Sequence, residues 1–154
     1  MEKKRILVVD DDQVVLESLR EYLTLKGYDV DTAENGREAI ERSKDNYYNL
    51  ALLDIKLPDM QGTELLIKMH RNTPQMMKIM ITGYPTLENA VEALNLGADA
   101  YVMKPVNPEK LHRVVEEKLK EQEAAEKMSE DKVVEWIKTR VRKLTPKQET
   151  KLPP

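Results

Sequence analysis

Four short apolar runs, each ending on a reactive or charge-carrying residue, set the tightest limit on how this chain can fold. Ile6-Leu7-Val8-Val9 runs into Asp10-Asp11-Asp12, and Leu50-Ala51-Leu52-Leu53 runs into Asp54. Lys78-Ile79-Met80-Ile81 ends on Thr82-Gly83, and Ala100-Tyr101-Val102-Met103 ends on Lys104-Pro105. Apolar runs of this length, bounded by polar residues, suit strands of a parallel sheet covered on both faces. Such sheets bind ligands beyond the carboxyl ends of their strands. The acid cluster, the lone Asp54, Thr82 and Lys104 are therefore expected to meet at one edge.

The segments between these runs carry helical spacing. Val15, Leu19, Tyr22 and Leu23 recur at steps of three and four, with Gly27 as the C-terminal stop. Tyr28, Val30 and Thr32 alternate with Asp29 and Asp31, the pattern of a half-exposed edge strand. Ala39-Ile40 sit in a short helix after the Asn35-Gly36 turn. Leu65, Leu66 and Met69 form the next stripe, and Ala90, Val91 and Leu94 the fourth, which Gly97 ends. Asn107-Pro108 supplies an N-cap and a proline at the first position of the fifth helix, whose stripe is Leu111, Val114, Val115 and Leu119. Strand and helix thus alternate through the chain, which calls for an α/β fold with helices on both faces of a parallel sheet.

After Gln122 the stripe thins into Glu-Ala-Ala-Glu-Lys, so residues 1–122 are expected to form the compact domain and residues 123–154 a C-terminal extension. Ser129 is expected to cap a separate helix with Val133, Val134, Ile137, Val141 and Leu144 on its apolar face. Thr145-Pro146 should end it, leaving Lys147 to Pro154 as a disordered tail. The mixed charge, net −3 over 154 residues, lacks the basic stripe of a nucleic-acid-binding surface. Cysteine is absent, which excludes disulfides and zinc-thiolate sites. No run is long enough for a signal-peptide core or a membrane span, so a cytoplasmic chain is expected.

Crowded carboxylates repel, so one must hold a proton or a cation must neutralise them. Oxygen-only ligands without His or Cys favour a hard ion such as Mg²⁺, which uses one or two carboxylates together with phosphate oxygens. A nucleophilic Asp beside such an ion can take a phosphoryl group. Lys104 offers a point charge to a phosphate oxygen and Thr82 a hydroxyl.

With Val8-Val9-Asp10-Asp11, Leu53-Asp54-Ile55-Lys56-Leu57-Pro58-Asp59-Met60-Gln61-Gly62, Thr82-Gly83 and Lys104-Pro105 in this order, the chain resembles the response-regulator receiver domains of two-component signalling over about residues 4–122. That resemblance implies a flavodoxin-like five-stranded sheet of order 2-1-3-4-5. It implies Asp54 as phosphoacceptor, and Asp10, Asp11, Asp54 and the backbone carbonyl of Lys56 as the Mg²⁺ site. Asp11 would be the direct ligand and Asp10 would act through water or by orienting the others. Thr82 and Lys104 would engage the phosphoryl group, Tyr101 would be the switch aromatic that follows Thr82, and Lys104-Pro105 would be a cis bond. The implied partners are a sensor histidine kinase or phosphotransfer protein, an unknown downstream effector, and a second copy bound through the fourth helix, fifth strand and fifth helix. Self-association is also expected to draw on the C-terminal extension. Gly83 stands where alanine is commoner in the family.

Two other functions fit the same residue types. Aspartyl-phosphate hydrolases also use Asp, Thr and Lys, but they need a second acid two residues beyond the nucleophile, where this chain has Lys56. A scaffold with a vestigial site would not need all five signature residues. The expectation is a signalling switch, not a turnover enzyme. His70 and His112 are expected to lie away from the acid cluster, and Trp136 to pack on its own helix.

Overall fold

The computed structural model describes residues 3–83 and 86–144. Five parallel strands form one sheet in the order β2-β1-β3-β4-β5. They are β1 (Arg5–Val9), β2 (Asp29–Ala33), β3 (Leu50–Asp54), β4 (Met77–Thr82) and β5 (Ala100–Met103). The helices are α1 (Gln13–Leu25), α2 (Gly36–Asp45), α3 (Gly62–Asn72), α4 (Leu87–Asn95) and α5 (Pro108–Leu144). This is the doubly wound, flavodoxin-like architecture expected from the alternation and the family likeness. β2 is the half-exposed edge strand, whereas every residue of the central β3 is buried.

Strand residues alternate between two apolar layers. Leu7, Val9, Ala51, Leu53 and Met80 pack against Ala39, Leu65, Leu66, Met69 and Ala93, which places α2, α3 and α4 on one face. Ile6, Val8, Leu50, Leu52, Ile79 and Ile81 meet Leu16, Leu19, Leu23, Leu111, Val115 and Leu119 of α1 and α5 on the other. Burial on both faces explains why these strands read as continuous apolar runs. The punctuation residues act as their chemistry demands. Asp12 caps α1, Asn35 caps α2 and Thr86 caps α4 through their side-chain oxygens, and Asn107 accepts the Lys110 N–H at 3.1 Å. Gly27 and Gly97 carry the positive φ angles of +96° and +111° that stop α1 and α4.

The chain divides into two compact units, with the boundary after Leu119. The expected break in helix near Ser129 is absent, because α5 runs without interruption from Pro108 to Leu144. Glu, Gln, Ala, Lys and Met dominate positions 121–128 and no Gly or Pro intervenes. Intrinsic propensity therefore carries the helix through the stretch where its apolar stripe fades. The expected stop at Thr145-Pro146 and the tail beyond it lie outside the described residues. Among the described residues, no helix is long and apolar enough to cross a membrane.

One strand residue departs from its apolar run. Lys78 is fully buried, its Nζ donating to the carbonyls of Met76 (2.6 Å) and Thr73 (3.0 Å), while its own N–H donates to Asp99 at 2.8 Å. Burial holds its pKa below the ordinary lysine value, against the pull of Asp99. Lys78→Ala removes the donor from two carbonyls and opens a cavity, so it is expected to cost roughly 2–3 kcal/mol in urea unfolding. Lys78→Met keeps the volume and should cost less. Equal stability of all three chains would show that the ammonium carries no structural role.

Candidate functional site

Sheet register brings the four strand ends together. Val9 pairs with Leu53, Asp54 with Ile81, and Thr82 with Met103, so the residues that follow emerge side by side. The Lys104 N–H donates to the Thr82 carbonyl at 2.7 Å and stitches the ends of β4 and β5. Asp10 and Asp54 are buried, Asp11 is exposed, and the three carboxylates offer oxygens within 4.8 Å of one another. The Lys104 ammonium lies 3.0 Å from Asp10 Oδ2 and 3.5 Å from Asp54 Oδ2. Thr82 is fully buried at the end of β4. The Lys104-Pro105 bond is cis.

Burial is the main reason that the Asp54 pKa is pushed up, to about 6, and the neighbouring Asp10 charge adds to it. Lys104 and the Lys56 N–H work in the opposite direction. Lys104 itself is raised, because the two carboxylates outweigh the loss of solvent that would lower it. The site thus gathers three carboxylates, two of them beside the Lys104 ammonium, and holds Asp54 at an energetic disadvantage. An oxygen-only donor set this close suits a hard divalent ion, which Asp10, Asp11 and Asp54 could hold.

The sign of the Asp54 effect follows by linkage. Its folded pKa, about 6, lies above the ordinary value of 3.8, so the folded state holds this proton more tightly than the unfolded chain. The resulting stabilisation is complete below 3.8 and is lost as the pH rises through about 6. In Mg²⁺-free buffer Asp54→Asn should therefore be more stable than the parent at pH 7, by on the order of 1–2 kcal/mol after allowing for solvent access. The gap should narrow as the pH falls towards 4. A gap independent of pH would show that the acid carries no such penalty.

The loop from Ile55 to Gln61 follows β3. The Lys56 N–H is 3.5 Å from Asp54 Oδ1, Lys56 bridges Gln61, and the Gly62 N–H donates to the Ile55 carbonyl at 2.7 Å. At the loop's far end Asp59 accepts the Gly36 and Arg37 N–H groups of α2, both at 2.9 Å. Sequence reasoning gave Asp59 no role. Its signal was only a second acid in the loop motif, and its partners come from a helix more than twenty positions earlier.

Tyr101 lies in β5 opposite Met80 and packs against the α2–α4 layer. Its hydroxyl is buried and finds no hydrogen-bond partner among the described residues. The histidines lie elsewhere. His70 is exposed on α3 beside Gly97, and His112 on α5 contacts Tyr22, Tyr28 and Glu116. Trp136 is exposed on α5, with the Arg140 guanidinium 5.0 Å from its ring.

The family model of the response regulator receiver domain matches residues 6–116. A receiver domain protein (CheY-like) from Methanospirillum hungatei is 53% identical, with a TM-score of 0.79, covering 80% of this chain and 99% of that one. The signal receiver domain of a putative LuxO repressor from Vibrio parahaemolyticus is 28% identical, with a TM-score of 0.78 over 82% of this chain and 98% of its own. Among curated proteins, the regulatory protein AtoC of Escherichia coli is 36% identical over 115 residues, 75% of this chain and 25% of its own length. A cyclic di-GMP phosphodiesterase from Thermotoga maritima is 37% identical over 106 residues, 69% of this chain and 28% of its own length. The chain thus spans about a quarter of the length of these two curated relatives.

Proposed function

Because the chain belongs to the family of response-regulator receiver domains of two-component systems, we propose that it is a phosphorylation switch in which Asp54 takes a phosphoryl group from a sensor histidine kinase or a phosphotransfer protein. The observation that carries this reading is the grouping of Asp54 with Asp10, Asp11 and Lys104 at one sheet edge. An Asp54 carboxylate oxygen attacks phosphorus, the bond from phosphorus to the donor atom breaks, and the donor leaves with its electron pair. Mg²⁺, when bound, offsets the charge of the acceptor and of the incoming oxygens. Asp11 would hold it directly, Asp10 would orient the site, and Asp54 and the Lys56 carbonyl would complete the protein's ligands. Lys104 supplies a fixed positive charge to a phosphoryl oxygen and Thr82 a hydroxyl donor.

Phosphorylation places about −1.5 to −2 charge and three acceptor oxygens at Asp54. Lys104 must then choose between Asp10 and the new oxygens, and the Thr82 loop moves toward them. These differential contacts bias a two-state equilibrium, which Tyr101, α4 and α5 relay outward. Lys56, two residues past the acceptor, leaves no acid there to speed hydrolysis, so the chain is a switch and not a turnover phosphatase. Mg²⁺-dependent uptake of one phosphoryl group from acetyl phosphate, read by intact mass, is the test. Rapid multiple turnover on small phosphate esters would overturn the switch reading.

The phosphodonor has an apolar seat beside Lys104. Val15, Leu19, Tyr22 and Leu25 of α1 face Pro105 and Val106 across a groove of about 450 Å³. On the α4–β5 side Leu87 and Met103 are 81% and 58% exposed, a surface for the downstream effector or a second copy. Val133, Val134, Ile137 and Val141 form an exposed stripe on the extension that serves the same self-association. Sedimentation of the full chain with and without beryllofluoride reads this directly: a monomer under both conditions removes the homodimer. The reading places the chain in the cytoplasm and gives it no direct contact with nucleic acid.

A further inference from the structure

Two ends of one loop are pinned to different parts of the protein. At its base, the loop that leaves β3 is fixed to the site. The Ile55 N–H donates to the Ile81 carbonyl at 3.0 Å, Lys56 bridges Gln61, and the Gly62 N–H closes back on Ile55 at 2.7 Å. At its tip, Asp59 reaches α2. One carboxylate oxygen accepts the Gly36 N–H and the other the Arg37 N–H, each at 2.9 Å.

The sharing of donors at that helix end is complementary. The first N–H groups of a helix have no partner within it. The N-cap Asn35 takes the Glu38 N–H at 2.8 Å, and Asp59 takes the two groups that Asn35 leaves. A carboxylate there also meets the positive end of the helix dipole. Met60 reinforces the docking. Its side chain lies so close to Gly36 that a Cβ on that residue would come within 2.5 Å of the Met60 sulfur. Between tip and base lie only Leu57 and Pro58, so holding Asp59 restricts where the Lys56 backbone can go.

We infer that Asp59 is a positioning residue for the metal site: by tethering the loop tip to the N-terminus of α2, it fixes the Lys56 carbonyl where Mg²⁺ needs it. The inference rests on the proposed function, since it takes the Lys56 carbonyl as a metal ligand. Groups that orient metal ligands typically carry a tenfold or larger share of metal affinity. It follows that α2 is part of the apparatus that sets metal affinity, although it contributes no ligand.

Calorimetric titration of the full chain with MgCl₂ tests this. Asp59→Ala is expected to weaken Mg²⁺ binding about tenfold, and Asp59→Asn, which keeps one acceptor oxygen, by less. In acetyl phosphate labelling the half-saturating Mg²⁺ concentration should rise, while the rate at saturating Mg²⁺ stays near that of the parent. Gly36→Ala disturbs the same contact from the α2 side, through Met60, and should shift Mg²⁺ affinity in the same direction. Lower thermal stability with unchanged Mg²⁺ affinity in both variants would reduce Asp59 to a structural cap and overturn the inference. Asp11→Ala separates the two levels. If it abolishes Mg²⁺ binding while Asp59→Ala leaves it intact, the metal site stands and the positioning role falls. If it too leaves binding intact, the metal assignment itself falls.

Discussion

Asp54→Asn will take up no phosphoryl group from acetyl phosphate under conditions in which the parent chain takes up one. Four carboxylates stand at this edge, and the prediction is that a single one reacts. Asp10 has committed its oxygens, one to the Lys104 ammonium at 3.0 Å and one to the Asp12 N–H at 2.9 Å. Asp12 spends its Oδ1 on the first turn of α1, accepting from Val14 at 2.9 Å and Val15 at 3.4 Å. Asp11 is exposed at the rim of the cluster, a place that suits a metal ligand better than a nucleophile. Among the described residues Asp54 has only long contacts, 3.5 Å to Lys104 and 3.5 Å to the Lys56 N–H, so its lone pairs are the least committed. Its pKa, pushed up to about 6, makes its oxygens more basic than an ordinary carboxylate while leaving it mostly ionised at neutral pH. An amide in its place has no nucleophilic oxygen anion, so the loss should be complete and not partial. Intact-mass spectra showing equal labelling of the variant would move the acceptor to Asp10 or Asp11.

How far the sequence alone could reach depends on how local the cause of each feature is. The strands were legible because burial on two faces forces uninterrupted apolar residues, as in Leu50-Ala51-Leu52-Leu53. The cap at Asn107 was legible because its side chain acts on backbone only three residues away. Lys78 was not, since nothing in its neighbours says that Thr73 and Met76 will turn their carbonyls toward it. The helix break expected near Ser129 failed for the opposite reason. Ser129 has the chemistry of a cap, but the run of strong helix formers before it is enough to keep the turn going. Asp59 shows the limit most clearly, because its partners lie at positions 36 and 37 and only the folded sheet brings them within 2.9 Å.

Gly62→Ala is expected to be the most damaging single-methyl change near the site, and Gly83→Ala, at the end of the neighbouring strand, one of the mildest. A Cβ at Gly62 would lie 2.4 Å from the Asp54 carbonyl oxygen, 2.5 Å from Ile55 Cα and 2.9 Å from the Ile55 carbonyl carbon. All three are main-chain atoms, so no rotamer change relieves the clash and the backbone has to move. Overpacking of this kind costs roughly 3 kcal/mol or more. The atoms that must move also include the carbonyl of Asp54, the proposed acceptor. A displacement of about 1 Å from productive geometry can slow a reaction roughly a hundredfold, so labelling should fall well beyond what lost stability explains. Among the described residues, a Cβ at Gly83 would meet only the Lys104 side chain, at Cδ and 3.9 Å, an ordinary contact. Gly83→Ala should therefore stay within about 0.5 kcal/mol of the parent and keep its labelling rate, consistent with alanine being the commoner residue there in the family. Urea unfolding and acetyl phosphate labelling of the two variants, compared side by side, read both effects. Equal behaviour would mean that the turn after β3 has slack which these distances deny.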